Sequence, residues 1–327
     1  MPDTETELAE TDDHDVVIVG GGPAGCSAGV FCAREGFDTV IFDRGRSSLQ
    51  RCAHLENYLG FPGGVDIETM YGLMHDHAET AGCEIVSDLV ESVEQTDDEE
   101  SFRVTPQEGE SITARQVVAA TRYDGEYMRG LDDDAEMFET HEHGGKEHEH
   151  FDGEYADHDG TTPVDRLYVV TPAEEDDQAI VAAGRGARVA RRVIADARID
   201  DGWWEEVADG VDWMRRRAEL DDELSDRTQL VEWFDAHYGA DAPVAPDSDR
   251  YQRVREARIG KSVSSHISPD EIDARAGAGQ EALASHLDPA HIVEAVDTAA
   301  LLDQIDDDKI LAAAEDRRPE RESGVER

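Results

Sequence analysis

The chain has 327 residues and is strongly acidic, with 78 Asp and Glu against 30 Lys and Arg, a formal net charge of −48 and only three lysines, Lys146, Lys261 and Lys309. Self-repulsion at that charge works against a compact state in dilute salt, whereas about 1 M salt shortens the Debye length to roughly 3 Å and relieves it. The composition therefore predicts a cytoplasmic protein of a salt-accumulating halophile, and its charge excludes nucleic acid and anionic membrane surfaces as partners.

No stretch approaches the roughly 18 apolar residues of a membrane span, and residues 1–13 form an acidic tail, expected to be disordered, with no basic and apolar leader pattern. Four cysteines at irregular spacing (Cys26, Cys32, Cys52, Cys83) make neither a disulfide framework nor a zinc site, and Cys-x-x-Cys does not occur.

Residues 14–44 read HDVVIVGGGPAGCSAGVFCAREGFDTVIFDR. The apolar run 15–19 fits a buried parallel strand, and it leads into Gly20-x-Gly22-x-x-Gly25, with Pro23 and Ala24 inside the turn. In such a turn the first glycine permits the bend, the second lets a diphosphate approach the backbone, and the third lets the helix lie on the strand. A helix over 25–35 would point its N-terminal N–H groups at the phosphates. A second strand, 38–42, ends on Asp43, 23 residues after Gly20, with Arg44 beside it. Asp43 is thus placed to hold a ribose diol, and the whole unit predicts a dinucleotide site.

Beyond it, 55–62 is turn-rich, and 67–81 carries Ile67, Met70, Leu73 and Met74 at helical spacing. Strands are predicted at 83–86, 90–93, 102–105, 115–120 and 167–170, the second and third antiparallel around an acidic loop at 97–100. The stretch 139–160, ETHEHGGKEHEHFDGEYADHDG, reads by composition as a loop. Residues 178–198 suggest a glycine turn followed by a helix. From 201 onward the chain reads as a helical extension, with a linker at 241–249 and a capping box at Ser268-Pro269-Asp270-Glu271. Further helices are expected over 282–314.

Three segments resemble the FAD-binding domain of thioredoxin-reductase-like flavoproteins: GGGPAG at 20–25 with Asp43, ENYLGFP at 56–62, and DQAIVAAGRGA at 177–187. A weaker match is Ala119-Ala120-Thr121-Arg122, where the family has A-T-G. The resemblance covers about half the chain. It implies an α/β fold with a doubly wound, Rossmann-like parallel sheet over 14–200, FAD as cofactor, and domains that pair as homodimers. It also implies that Thr121, Gln178 and Ala179 lie near the flavin and that Gly184, Arg185, Gly186 and Ala187 present a helix N-terminus to the ring edge. In that family an NADPH-binding domain with a redox Cys-x-x-Cys separates the A-T-G strand from the closing turn. Here the interval 123–167 is too short for a domain and holds the His-rich segment. VVTPA at 169–173 stands where the family has its ribityl-binding aspartate.

The expected activity is therefore flavin-dependent oxidoreduction with electrons from an external donor, a small molecule or a protein such as ferredoxin. A non-catalytic FAD- or nucleotide-binding sensor or scaffold is the alternative. A flavin accepts a hydride or single electrons while the protein tunes it, so Arg185 at a helix start is a candidate for favouring negative charge on the ring. Cys52 is the candidate redox residue, with His54 placed to lower its pKa, against the plainer reading of a small loop residue. Arg188, Arg191 and Arg192 share a helix face and are read as partners for acidic neighbours. No metal site is expected: His141, His143, His148, His150 and His158 sit in a segment without rigid support.

Overall fold

A computed structural model of the chain describes residues 14–97, 100–122, 124–143, 146–170, 178–210, 215–218 and 227–317. The predicted tail at 1–13, the segment 171–177 and Trp213 lie outside the described residues. In chain order, the first elements are β1 (His14–Val19), α1 (Pro23–Arg34), β2 (Thr39–Phe42), α2 (Ile67–Ala81), β3 (Glu84–Val86), β4 (Val90–Gln95), β5 (Phe102–Pro106) and β6 (Ile112–Ala119). Then come α3 (Asp134–Met137), β7 (Phe138–His143), β8 (Lys146–Phe151), β9 (Leu167–Val169) and α4 (Ala179–Asp200). The remainder is α5 (Glu205–Ala208), β10 (Arg216–Arg217), α6 (Arg227–Tyr238), α7 (Asp249–Ser264), β11 (His266–Ile267), α8 (Pro269–Ser285), α9 (Pro289–Ala295), α10 (Thr298–Leu302) and α11 (Asp307–Asp316).

Strand β1 is apolar on both faces because both are covered. Val16 and Ile18 join a core with α1, α2 and α4 residues, while Val17 and Val19 join one with Phe102, Tyr127, Phe138 and Phe151. The alternation follows from the two-residue period of a strand. The main sheet runs β3-β2-β1-β6-β5-β4, with β9 parallel to the C-terminal half of β6 and β5 antiparallel to its start. β1, β2, β3, β6 and β9 are parallel, so this is an α/β fold with a mainly parallel sheet and a small antiparallel edge. The strand order reverses between β1 and β6, and the ends of those strands open into one crevice.

Two helix ends explain themselves. Asp66 caps α2 by accepting from the Thr69 N–H at 2.8 Å, and Gly82 closes it at φ +113°. The N-cap of α1 is Gly22, which offers no side-chain acceptor, so its first-turn N–H groups face the crevice without a side-chain cap.

Only the second part of the His-rich stretch, 152–160, is the loop expected. Phe138–His143 and Lys146–Phe151 pair as an antiparallel hairpin, with His141 opposite His148 and Glu139 opposite His150. Phe138 and Phe151 anchor its base, both buried, their rings edge-to-face at 5.9 Å. Polar composition suggested a loop, but the two flanking aromatics supply the buried area that fixes a strand pair.

The division at 200/201 is also revised. Trp203, Trp204, Val207, Phe234, Tyr251 and Ile259 form a core with Ala195 of α4, with Trp204 stacked on Tyr251 at 5.5 Å. The chain separates instead at Ala274 and Arg275. In the second unit α9, α10 and α11 have no buried residue, and each is capped by an aspartate, Asp288, Asp297 and Asp306. No helix of the described residues is long and apolar enough to cross a membrane.

Candidate functional site

The crevice at the ends of β1, β2 and β6 is a cavity of about 1020 Å³. Its floor is the glycine turn, and each glycine there has a separate reason. Gly20 has φ +116°, and a Cβ on it would come 2.6 Å from the Ala120 carbonyl oxygen. A Cβ on Gly22 would meet Ser47 Oγ at 2.9 Å. A Cβ on Gly25 would overlap the carbonyl of Gly20, so the third glycine sets the approach of α1 to the turn and does not itself line the cavity. Gly20, Gly22, Pro23 and Ala24 do line it.

Asp43 closes the end of β2 at 6% exposure and lines the same cavity, with Arg44 next to it paired to Asp124 at 2.6 Å. Tyr71 Oη donates to Asp43 Oδ2 at 2.5 Å, His75 Nε2 lies 3.3 Å from the same oxygen, and the Gly45 N–H donates to Oδ1 at 2.9 Å. His75 Nε2 also stands 3.1 Å from the Gly21 carbonyl oxygen, tying α2 to the glycine turn. Burial alone would raise the Asp43 carboxyl, but the bonds from His75, Tyr71 and Gly45 outweigh it and hold it below the usual carboxylate range. The reciprocal effect pushes His75 up to about 10, chiefly through Asp43 and then through Cys26. Sequence reasoning missed Tyr71 and His75. The i, i+4 pair on the predicted helix was the available signal, although nothing in the sequence aims it at Asp43.

A pH dependence follows. The raised His75 contributes stability fully below about 6.5, and that contribution is lost as pH rises through about 10. The lowered Asp43 contributes above about 3.8 and loses its share as pH falls through its folded value. The stability gap between wild type and His75→Ala is therefore expected to be wide near about pH 6 and to close by about pH 10, with Tyr71 and Cys26 the other titratable groups facing the ring. Denaturant midpoints at the two pH values measure it, and a constant gap would refute the ion pair.

The closing region differs from expectation. Gly184–Ala187 was expected to be a turn at a helix start; these residues lie inside α4, which already begins at Ala179 behind the N-cap Gln178. Alanine-rich sequence carries the helix back through them, glycine being tolerated at about 1 kcal/mol each. Gln178, Ala179 and Arg185 line the cavity, while Gly184, Gly186 and Ala187 do not. Gly186 is instead where α4 crosses α1, since a Cβ there would overlap the Ala24 carbonyl oxygen. Arg185 sits seven residues into the helix, away from its N-terminal dipole. Asn57 Nδ2 donates to Gln178 Oε1, joining the 56–62 segment to the start of α4.

Thr121, at the end of β6, lines the cavity and holds Tyr127 Oη at 2.9 Å. Cys52 lines it too and is exposed, whereas Cys26, Cys32 and Cys83 are buried. His54 lies 3.4 Å from the Gly63 carbonyl oxygen, and no hydrogen bond joins it to Cys52 among the described residues. The arginines of α4 find local partners, Arg191 with Asp209, Arg192 with Asp196 and Arg188 with His158. Among the described residues no group of His, Cys, Asp and Glu is arranged to hold a metal; the side chains of His141, His143 and His148 lie outside them.

Residues 14–170 match the family described as Pyridine nucleotide-disulphide oxidoreductase. The chain is similar to the thioredoxin reductase of Aquifex aeolicus (strain VF5), 28% identical over 110 residues, which are 33% of this chain and 33% of that one. It is also similar to the bifunctional thioredoxin reductase/thioredoxin of Mycobacterium leprae (strain TN), 31% identical over 127 residues, 38% of this chain and 27% of the relative. The matches thus span about a third of the length of these curated relatives. Among solved structures, a thioredoxin reductase from Gloeobacter violaceus aligns with 58% of this chain and 95% of its own at 19% identity and a TM-score of 0.44.

Proposed function

We infer, taking the pyridine nucleotide-disulphide oxidoreductase match over residues 14–170 as the premise, that this chain is a flavin-dependent oxidoreductase holding FAD in the crevice between β1 and β6. The observation that carries the reading is the cradle itself: Gly20 and Gly22 line the cavity with bare backbone, packed so closely against Ala120 and Ser47 that neither could bear a Cβ, beside a helix N-terminus with no side-chain cap. Backbone N–H groups of α1 would take the diphosphate, and Asp43, already oriented by Tyr71 and His75, would accept from the adenosine ribose. Gln178 and Ala179 bring the first turn of α4 to the cavity, and Arg185 supplies a cation one wall away. FAD would supply hydride or single-electron exchange.

The interval 123–167 has no room for a nicotinamide-binding domain, so electrons would come from outside this chain, from a small molecule or a partner protein. Cys52 is the single cysteine on the cavity wall among the described residues, and this favours a second reading, an FAD-binding sensor without thiol chemistry. The deciding experiment is the visible spectrum of protein purified in multimolar salt. The expected result is a flavin spectrum with FAD released on denaturation, followed by rapid bleaching with an added donor. A colourless, folded protein that takes up no added FAD would overturn the reading, and bound FAD that no donor reduces would favour the sensor.

A further inference from the structure

Arg122 occupies a backbone conformation that suits glycine. Its φ is +61°, the left-handed region that side-chain-bearing residues avoid. From the end of β6 its side chain reaches the 3-10 turn Ser48–Arg51, where Nη1 donates to Ser48 Oγ at 3.1 Å. The two ends of that bridge flank the glycine turn. Thr121 Cγ2 lies 3.4 Å from where a Cβ of Gly20 would sit, and Ser47 Oγ lies 2.9 Å from where that of Gly22 would sit. Arg122, Ser47, Ser48 and both glycines share one cavity wall system. The guanidinium thereby ties the end of β6 to the segment that abuts Gly22, on the wall of the cavity that the first turn of α1 also lines.

We propose that Arg122 is a diphosphate clamp: with a dinucleotide in the cavity, its guanidinium donates to the diphosphate oxygens from the side facing the α1 N-terminus. The proposal rests on the reading that the cavity holds FAD, and it identifies what grips the charged middle of that ligand. A guanidinium suits the task because its planar fork presents parallel donors to phosphate oxygens and stays charged at every working pH. The need is local, since Asp43, Asp88 and Glu91 line the same cavity and a neighbouring cation offsets their repulsion of a dianionic group at distances that salt screens little. Arg46 stands on the same wall, exposed and without a hydrogen bond or ion pair among the described residues, and adds to the offset. A glycine at 122 would relax the backbone, so it is the side chain that gives arginine a purpose at this position.

The test titrates FAD, riboflavin and ADP into the full chain, as wild type, Arg122→Gly and Arg122→Gln, at one fixed multimolar KCl concentration. Arg122→Gly relieves the left-handed strain, and its ligand-free Tm is expected to hold or rise. Its Kd for FAD and for ADP is expected to rise about tenfold or more, as loss of a charge-assisted bond implies, while riboflavin, which carries no phosphate, shifts less than about twofold. Arg122→Gln keeps a donor for Ser48 without the charge and is expected to show the same selective loss, which decides the matter if the glycine variant fails to fold. Unchanged FAD affinity in both variants would overturn the clamp and leave the FAD reading standing. Equal losses for riboflavin and FAD would likewise overturn it in favour of a purely structural strap. Wild type that binds ADP in an Arg122-dependent way but no FAD would uphold the clamp and sink the flavin reading. Wild type that binds neither would end both.

Discussion

Gly186→Val is expected to abolish flavin retention and to cost about 3 kcal/mol or more of unfolding free energy, whereas Gly184→Ala, two residues away in α4, is expected to stabilise by up to about 1 kcal/mol. At Gly186 the obstacle is backbone: an added Cβ overlaps the Ala24 carbonyl oxygen, and Ala24 lies in the first turn of α1. Relief requires the two helices to part at the place where both reach the cavity, so binding and packing fail together. Gly184 has nothing within 4 Å of its Cβ position, and the substitution there simply exchanges a poor helix former for the best one. Denaturant unfolding at one salt concentration, with flavin absorbance recorded on the same samples, measures both. A Gly186→Val protein that unfolds with wild type and keeps its colour would show that α1 and α4 are not packed this closely.

Arg198→Met is the second large effect, expected to cost about 3–5 kcal/mol. Arg198 is 5% exposed, its Nη2 lies 2.5 Å from Glu35 Oε2, and its Nη1 donates to the carbonyls of Ala208, at 2.8 Å, and Gly210. Lys261 Nζ reaches the same Glu35 oxygen at 2.5 Å, so α1, α4 and α7 meet at one buried carboxylate. Burial lowers the Arg198 pKa against the pull of Glu35, which marks how much desolvation the pair has absorbed. Removing the arginine leaves Lys261 to hold Glu35 and strips the donor from the Ala208 and Gly210 carbonyls, so a weakened buried ion pair and two acceptors short of a donor together make up the cost. The double change Glu35→Leu with Arg198→Met is expected to recover much of the loss, since neither charge is then buried alone. The penalty should persist in multimolar KCl, because buried pairs are screened little, whereas disrupting the exposed Arg191–Asp209 pair should be nearly silent. A cost for Arg198→Met that vanishes at high salt would refute the buried-pair account.

Local pattern made the first third of the crevice legible. The apolar run of β1, the glycine spacing and the acid ending β2 each depend on neighbours within one turn or one strand, and the structure assembles all three around one cavity. The extent of α2 was equally readable from its apolar spacing, and Asp66 and Gly82 mark its start and its stop. Composition misled over 139–151, where a polar sequence paired as strands once Phe138 and Phe151 found the core, and held over 152–160. It misled again at 184–187, where two glycines inside an alanine-rich helix looked like a turn.

Local pattern was thus enough to specify a strand, glycine turn and helix that present an anion-binding end beside a carboxylate, in a chain with an excess of negative charge. The groups that complete the site come together only through long-range packing. Tyr71 reaches Asp43 across 28 residues, Arg122 reaches Ser48 across 74, and Arg198 reaches Glu35 across 163. Periodicity and capping act over three or four residues and carry no information about such separations. Those partners are chosen by the order in which strands pair and helices pack: β6 inserted beside β1 brings Arg122 over the glycine turn, and the crossing at Gly186 brings α4 to the same mouth.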